Sequence, residues 1–239
     1  MNYAIIIAGG IGSRLGASVP KQFVEVLGKP IIAYTLEHFQ NHPEIDAIEI
    51  VCVDGYQEHL KFITEKYGIT KLLKIVKGGS EYERSIMNGV DGLNGIAKPN
   101  DVVMIHWAAS PFLNEKMITD NIRICKEKGN AITASYSYLL YGTNDGDCAK
   151  KSINRESFMT LSAPQSFLYN VIEGIYKQVE EKKMLDYVEA HTPALMTELG
   201  IPIYFSEGSH SNIKITTQED VDLFLGYLLA KKYKDGIEY

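Results

Sequence analysis

The 239-residue chain has only three cysteines (Cys52, Cys125 and Cys148) and one tryptophan, Trp107. The cysteines are scattered. They make no Cys-x-x-Cys pair and match no zinc spacing, so neither a disulfide framework nor a zinc centre is expected, and the pattern suits a reducing cytosol. Cys52 lies inside the apolar run Ile48-Glu49-Ile50-Val51-Cys52-Val53, where a buried structural thiol is the natural reading. No apolar run approaches the ~20 residues that cross a bilayer, and no leader-like segment precedes the first apolar run, so a cytoplasmic protein without a membrane partner is expected. A surplus of positive charge is lacking too. The formal net charge of −6 gives no global basic field and argues against a nucleic-acid partner. There is no internal repeat, linker or low-complexity segment. What remains is a chain of 45% hydrophobic residues, enough for an ordinary core and of a length for one domain over residues 1–239.

Strand-like and helix-like segments alternate. Residues 3–8, 48–53, 72–76, 101–106 and 131–137 read as strands. Residues 31–41, 56–67, 85–93 and 114–129 read as helices, the first started by Pro30 with Ile32, Leu36 and Phe39 on one face. The C-terminal third adds a helix over 168–182, a strand over 203–207 and a helix over 218–232, with Thr217 and Asp220 close to a capping-box pattern. This rhythm predicts an α/β fold, Rossmann-like, with a mostly parallel sheet sandwiched by helices and its ligand at the carboxyl ends of the strands. Residues 138–156 interrupt it. Asn144-Asp145-Gly146 between extended runs reads as a hairpin turn. The hairpin carries Tyr136, Tyr138, Leu139, Leu140 and Tyr141, more apolar surface than a solvated arm should expose. A protruding arm packed on a second copy is expected, with an arm folded onto its own domain as the alternative.

The most informative segment follows the first strand: Ala8-Gly9-Gly10-Ile11-Gly12-Ser13-Arg14, then Pro20-Lys21-Gln22. The glycines let backbone N–H groups approach phosphate oxygens, and Arg14 and Lys21 add positive charge there. A Walker loop requires Gly-Lys-Ser/Thr, and Gly12 is followed by Ser13-Arg14. A dinucleotide loop wants an acidic residue about 20 positions on, whereas Asp54 is about twice that far. A nucleotidyltransferase loop, wrapping a triphosphate with basic residues on its phosphates, accommodates all the features. A glycine turn flanked by solvated charges is the bland alternative.

Further motifs occur in order: Gly78-Gly79…Ser85-Ile86, His106…Ala108…Pro111-Phe112, Ala163-Pro164-Gln165-Ser166-Phe167 and Asn212-Ile213-Lys214-Ile215-Thr216. Together with the first loop they span nearly the whole chain and resemble the IspD/TarI-type cytidylyltransferases, which activate 2-C-methyl-D-erythritol 4-phosphate or ribitol 5-phosphate. The resemblance implies magnesium-assisted transfer of CMP from CTP to a polyol phosphate, and a homodimer joined by a hairpin arm. Carried across position by position, it places Arg14, Lys21 and Lys214 as catalytic phosphate ligands. Ala8, Gly9, Gly10, Gly12, Gly79, Ser85, Trp107 and Ala108 fall around the nucleotide. Arg155 falls on an arm arginine that grips the acceptor phosphate across the dimer, with His191 and Thr192 near the acceptor.

The chain departs from the family's His-Asp-Ala-x-Arg-Pro motif, reading His106-Trp107-Ala108-Ala109-Ser110-Pro111. Tyr82 stands where the cytosine loop usually has arginine, Ala163 where threonine precedes Pro-Gln, and Ala190-His191-Thr192 where a Thr-Asp-acidic segment is usual. These changes favour ribitol or glycerol phosphate, used for cell-surface polymers, over methylerythritol phosphate. Without the aspartate, magnesium would rest on the triphosphate and water, and no protein metal ligand is assigned. Trp107 reads as a ribose-stacking or pocket-plugging group, and His106 as a support for the strand end. A degenerate relative that binds nucleotide without turnover is the rival reading.

Overall fold

The computed structural model describes residues 1–10, 15–17, 19–234 and 236. Its organising feature is the alternation of side chains along β1 (Asn2–Ala8). Tyr3, Ile5 and Ile7 enter the core on one face of the sheet, and Ala4, Ile6 and Ala8 enter the other. A strand covered on both faces reads as a continuous apolar run, which is why the opening segment shows no polar alternation.

Seven strands form the main sheet in the order β11-β7-β10-β6-β1-β4-β5. The parallel centre comprises β1, β4 (Ala47–Cys52), β5 (Leu72–Lys77) and β6 (Val102–Trp107). Beyond it, β10 (Met159–Leu168) runs antiparallel to both β6 and β7 (Asn130–Tyr136), and β11 (Phe205–Glu207) is parallel to β7. Helices α3 (Tyr82–Gly92), α5 (Tyr169–Glu181) and α6 (Thr192–Glu198) cover one face through residues such as Ile86, Val90, Ile172 and Leu195. Helices α1 (Ile31–Asn41), α2 (Gln57–Lys66) and α4 (Glu115–Lys128) cover the other through Leu36, Phe39, Leu60, Ile63 and Ile118. The α/β fold with a mostly parallel sheet is therefore as expected.

Local chemistry explains the element ends. Asn114 Oδ1 accepts from Met117 N at 3.0 Å to cap α4, and Gly129, at φ 92°, ends it. The expected capping box of α7 (Gln218–Lys234) forms: Asp220 Oδ2 accepts from Thr217 N at 2.9 Å, and Thr217 Oγ1 accepts from Asp220 N at 3.4 Å. Between β7 and β10, β8 (Tyr141–Gly142) and β9 (Ser152–Ile153) pair as a small antiparallel hairpin. Tyr138, Leu139 and Leu140 before it are exposed, Leu140 by 88%. A second small hairpin, β2 (Glu25–Val26) with β3 (Lys29–Pro30), precedes α1.

The β2–β3 hairpin and α6 are absent from the sequence reading, and two further differences bear on the site. The ten-residue β10 contains Pro164, a residue normally excluded from a central strand. The ladder with β7 shifts register between Ser162 and Gln165, so the proline sits where pairing is already interrupted. Helix α3 begins at Tyr82 rather than Ser85, which places Ser85 in its first turn and Tyr82 at its mouth.

Candidate active site

The loops after β1, β5 and β6 meet at the carboxyl ends of the parallel strands. Their meeting depends on missing side chains. A Cβ on Gly9 would lie 2.8 Å from Ser85 Oγ, one on Gly78 would lie 3.3 Å from the Cα of Gly9, and one on Gly79 would lie 2.5 Å from the Cβ of Arg84. Gly79 N donates to Ser85 Oγ at 3.0 Å, and that hydroxyl donates to Glu81 O at 3.0 Å. Gly10 is different: nothing lies within 4 Å of its would-be Cβ, and it borders an open hollow.

Gln22 braces this loop. Its amide nitrogen donates to Ala8 O at 2.8 Å and to Gly10 O at 3.0 Å, and the residue is 2% exposed. Its place in Pro20-Lys21-Gln22 does not by itself assign Gln22 this task. The signal was a long amide immediately after Lys21, with two loop carbonyls in reach. Arg14 and Gly12, both assigned to phosphate from the sequence, lie outside the described residues.

The hollow measures about 300 Å³ and is bordered by Gly10, Lys21, Trp107, Ala108, Lys214 and Thr216, among others. Lys21 Nζ donates to Ile215 O at 2.7 Å, and Ile215 N donates to Ala109 O at 2.8 Å. These two bonds dock the 214–216 segment against Lys21 and the turn after β6, so Lys21 and Lys214, 193 positions apart in sequence, border one space. Asp220 supports the same segment by accepting from Thr216 N at 2.7 Å. Burial opposes ionisation of Asp220, but the bonds from Thr217 and Thr216 and the nearby Lys21 hold its carboxyl below the usual range.

Trp107, Tyr82 and His191 separate this hollow from a second of about 490 Å³, which also touches Leu161, Gln165, Thr192 and Ile203. Beneath it, Glu83 is fully buried. One of its oxygens accepts from Tyr176 Oη at 2.8 Å and Thr192 Oγ1 at 2.9 Å. Burial pushes the Glu83 carboxyl up, against the two hydroxyl bonds. The Thr192 hydroxyl, assigned to the acceptor from sequence, is thus engaged with Glu83 and Tyr176, while His191 borders both hollows. Ala8 and Ala108 are buried, with their carbonyls accepting from Gln22 and from Thr35 Oγ1. Arg155 sits in the arm, donates to Tyr138 O at 3.0 Å, and borders neither hollow.

His106 is fully buried, with Nε2 2.9 Å from Ser110 O. That geometry puts the proton on Nε2. Burial lowers the ring to about 4, so His106 stays neutral and holds the turn that leads to Pro111. Among the described residues, those bordering the first hollow include no carboxylate, and no group of three metal-ligating side chains occurs. These residues therefore do not by themselves fit a magnesium ion. What converges is a glycine cradle, two lysines and an aromatic wall, an arrangement suited to a polyphosphate ester.

Comparison with known proteins agrees. Residues 2–229 match the family model described as IspD, 2-C-methyl-D-erythritol 4-phosphate cytidylyltransferase. A ribitol-5-phosphate cytidylyltransferase of Lacticaseibacillus paracasei is 37% identical over 96% of this chain and 98% of its own length. A 2-C-methyl-D-erythritol 4-phosphate cytidylyltransferase of Clostridium botulinum is also 37% identical, over 97% and 98%. The crystal structure of a 4-diphosphocytidyl-2C-methyl-D-erythritol synthase from Anaerococcus prevotii superposes with a TM-score of 0.79 at 27% identity, covering 96% of each chain. With the glycine cradle, the paired lysines and full-length similarity in hand, the chain belongs to the IspD family of cytidylyltransferases.

Proposed function

We propose that this protein transfers CMP from CTP to ribitol 5-phosphate and releases pyrophosphate. The observation that carries the reading is the convergence of Lys21 and Lys214 on one hollow beside the Gly9–Gly79–Ser85 cradle. The curated ribitol-5-phosphate enzymes of Lacticaseibacillus and Streptococcus, aligned over 94–96% of this chain, support the acceptor. Methylerythritol phosphate is the second reading, supported by the equally identical Clostridium relative. Ala163 and Trp107 weigh against it.

In the proposed reaction an oxygen of the acceptor phosphate attacks the α-phosphorus of CTP in line. The new P–O bond forms as the bond to the β-phosphate breaks, and pyrophosphate carries away the electron pair. The nucleophile is already ionised, so no general base is required. Lys21 and Lys214, with Arg14, hold the charge that develops. Gly10 leaves room for the triphosphate, and Ser85 with Gly79 orders the base-reading loop. Magnesium accompanies CTP in the proposed substrate complex. Arg155 reaches an acceptor only from a second copy, so a homodimer joined through the exposed 138–156 arm of a single-domain protomer is part of the proposal. No helix among the described residues is long and apolar enough to cross a membrane, and a cytoplasmic location is proposed.

The test is pyrophosphate release with CTP and Mg²⁺ against ribitol 5-phosphate, glycerol phosphates, methylerythritol 4-phosphate, erythritol phosphate and choline phosphate. Ribitol 5-phosphate should respond most strongly. CTP binding with silence across the panel would favour a nucleotide-binding relative without turnover.

A further inference from the structure

Positions 82 and 107, where this chain departs from the pattern it resembles, touch each other. Trp107 Nε1 donates to Tyr82 Oη at 2.5 Å, tying the end of β6 to the first residue of α3. Burial pushes the Tyr82 phenol up, against the bond from Trp107, so the hydroxyl stays neutral and the pair carries no charge. Both rings lie near the same cation: Lys214 Nζ is 4.5 Å from the centre of the Trp107 ring and 5.1 Å from that of Tyr82. The His191 ring leans on Tyr82 with centroids 5.6 Å apart. His191 precedes Thr192, whose hydroxyl is bonded to Glu83 and Tyr176, so the aromatic group is anchored from below.

We infer that Trp107 and Tyr82 act as one hydrogen-bonded aromatic shelf that positions Lys214 for the phosphates of the nucleotide. The inference rests on the reading of Lys214 as a phosphate ligand. A π face attracts an ammonium through its quadrupole while carrying no formal charge. A carboxylate at position 107 would hold the same ammonium but would repel an incoming phosphate and cancel part of the attraction. The shelf fixes Lys214 without that cost. Trp107 and Tyr82 are positioning residues that act through Lys214.

The first test is a double-mutant cycle read by calorimetric CTP binding. Trp107→Leu should weaken CTP binding about tenfold, the size of one or two partly desolvated cation–π contacts. In a Lys214→Met background the same substitution should change binding less than about twofold. Equal losses in the two backgrounds would overturn the inference, because Trp107 would then act on the nucleotide or the fold directly. Tyr82→Phe keeps the ring and removes only the hydroxyl, so it guards against a folding defect. It should weaken CTP binding by about threefold, within the range of one hydrogen bond, and no effect in a folded protein would overturn the hydrogen-bonded shelf.

The second test uses Trp107 as the single tryptophan of the chain. Lys214→Met should shift its emission and raise its quenching by acrylamide in the ligand-free protein. An unchanged spectrum and unchanged quenching would show that the ammonium does not lie over the ring. Neither test requires an acceptor. Loss of the proposed turnover with every polyol phosphate would therefore count against the function, while the binding cycle and the emission would still decide the shelf.

Discussion

Replacing Gln22 isolates how the phosphate loop is held. The amide nitrogen of Gln22 donates to two loop carbonyls, Ala8 O at 2.8 Å and Gly10 O at 3.0 Å, at 2% exposure. Gln22→Ala removes two hydrogen bonds of about 1 kcal/mol each and empties the space of a buried side chain, while Ala8 O keeps the bond from Val53 N at 3.1 Å. A loss of about 2–4 kcal/mol follows, or about 4–16 °C in melting temperature at about 2–4 °C per kcal/mol for a chain of this size. Gln22→Glu is nearly the same shape but replaces the donor with a carboxylate oxygen facing those carbonyls. An uncompensated buried charge costs about 3–5 kcal/mol, so Gln22→Glu should be the less stable variant at pH 8. The sign with pH is also fixed. Facing carbonyls, the carboxyl introduced by Gln22→Glu titrates in the folded protein above its unfolded value of about 4.3. The native state then binds the extra proton, and stability falls as pH rises through that interval. Calorimetric melting at pH 5 and pH 8 should show the Gln22→Glu deficit growing with pH and the Gln22→Ala deficit staying level. Equal deficits for the two variants at pH 8, or a Gln22→Glu deficit independent of pH, would refute the placement of this amide between two carbonyls.

Other consequences are direct. Lys21→Met and Lys214→Met should each lower kcat/KM with CTP by about 10²–10³, the usual cost of one charge-stabilising group, with a cooperative melt retained; normal turnover in either would sink the proposed mechanism. Glu49, 1% exposed on β4 and 3.5 Å from Lys74 Nζ, has its carboxyl pushed up to about 7, chiefly by burial and against the pull of Lys74. A raised carboxyl binds its proton in the native state, so stability should fall between pH 4.5 and 7 by up to about 3 kcal/mol; Glu49→Gln should flatten that slope in thermal melts, and an unchanged slope would assign it to other groups. On the proposed arm, Leu139→Glu with Leu140→Glu should shift sedimentation towards monomer and reduce turnover, because Arg155 would no longer meet an acceptor in a second copy; a monomer with undiminished turnover would separate the arm from the site.

The parallel centre was legible because its strands are buried on both faces, and both-face burial leaves continuous apolar runs such as Ile5-Ile6-Ile7 and Val102-Val103-Met104-Ile105. Helix α1 was legible to its end residues because Pro30 fixes its start. Strand β10 was hidden by Pro164. A local rule against proline in central strands gives no warning that a register shift will already have broken the ladder there. At the site, glycines and lysines announce phosphate through residue type alone. Gln22, Tyr82 and Glu83 do not, since their importance lies in which distant carbonyl, ring or hydroxyl the fold brings to them. Glu83 is the clearest case: it lies before the helix read over 85–93, and only the earlier start of α3 and the packing of Tyr176 from α5 and Thr192 from α6 enclose it.

The charge of the whole chain and the charge of the site point in opposite directions, and the site's composition accounts for this. A net charge of −6 disfavours anions at long range, but surface charges beyond about 8–10 Å are largely screened at physiological salt. What a triphosphate meets in the hollow is set by the groups bordering it, and those described include two lysines and no carboxylate. Trp107 and Tyr82 contribute by being neutral: neither places a carboxylate beside Lys214 to compete with the phosphates for its charge. Reintroducing the acid tests that logic. Trp107→Asp removes the shelf and adds a negative charge, so it should weaken CTP binding more than Trp107→Leu, and the gap between the two variants should narrow as salt rises. A Trp107→Asp protein that binds CTP as tightly as the parent would show that the neutrality of this wall is not what the site relies on.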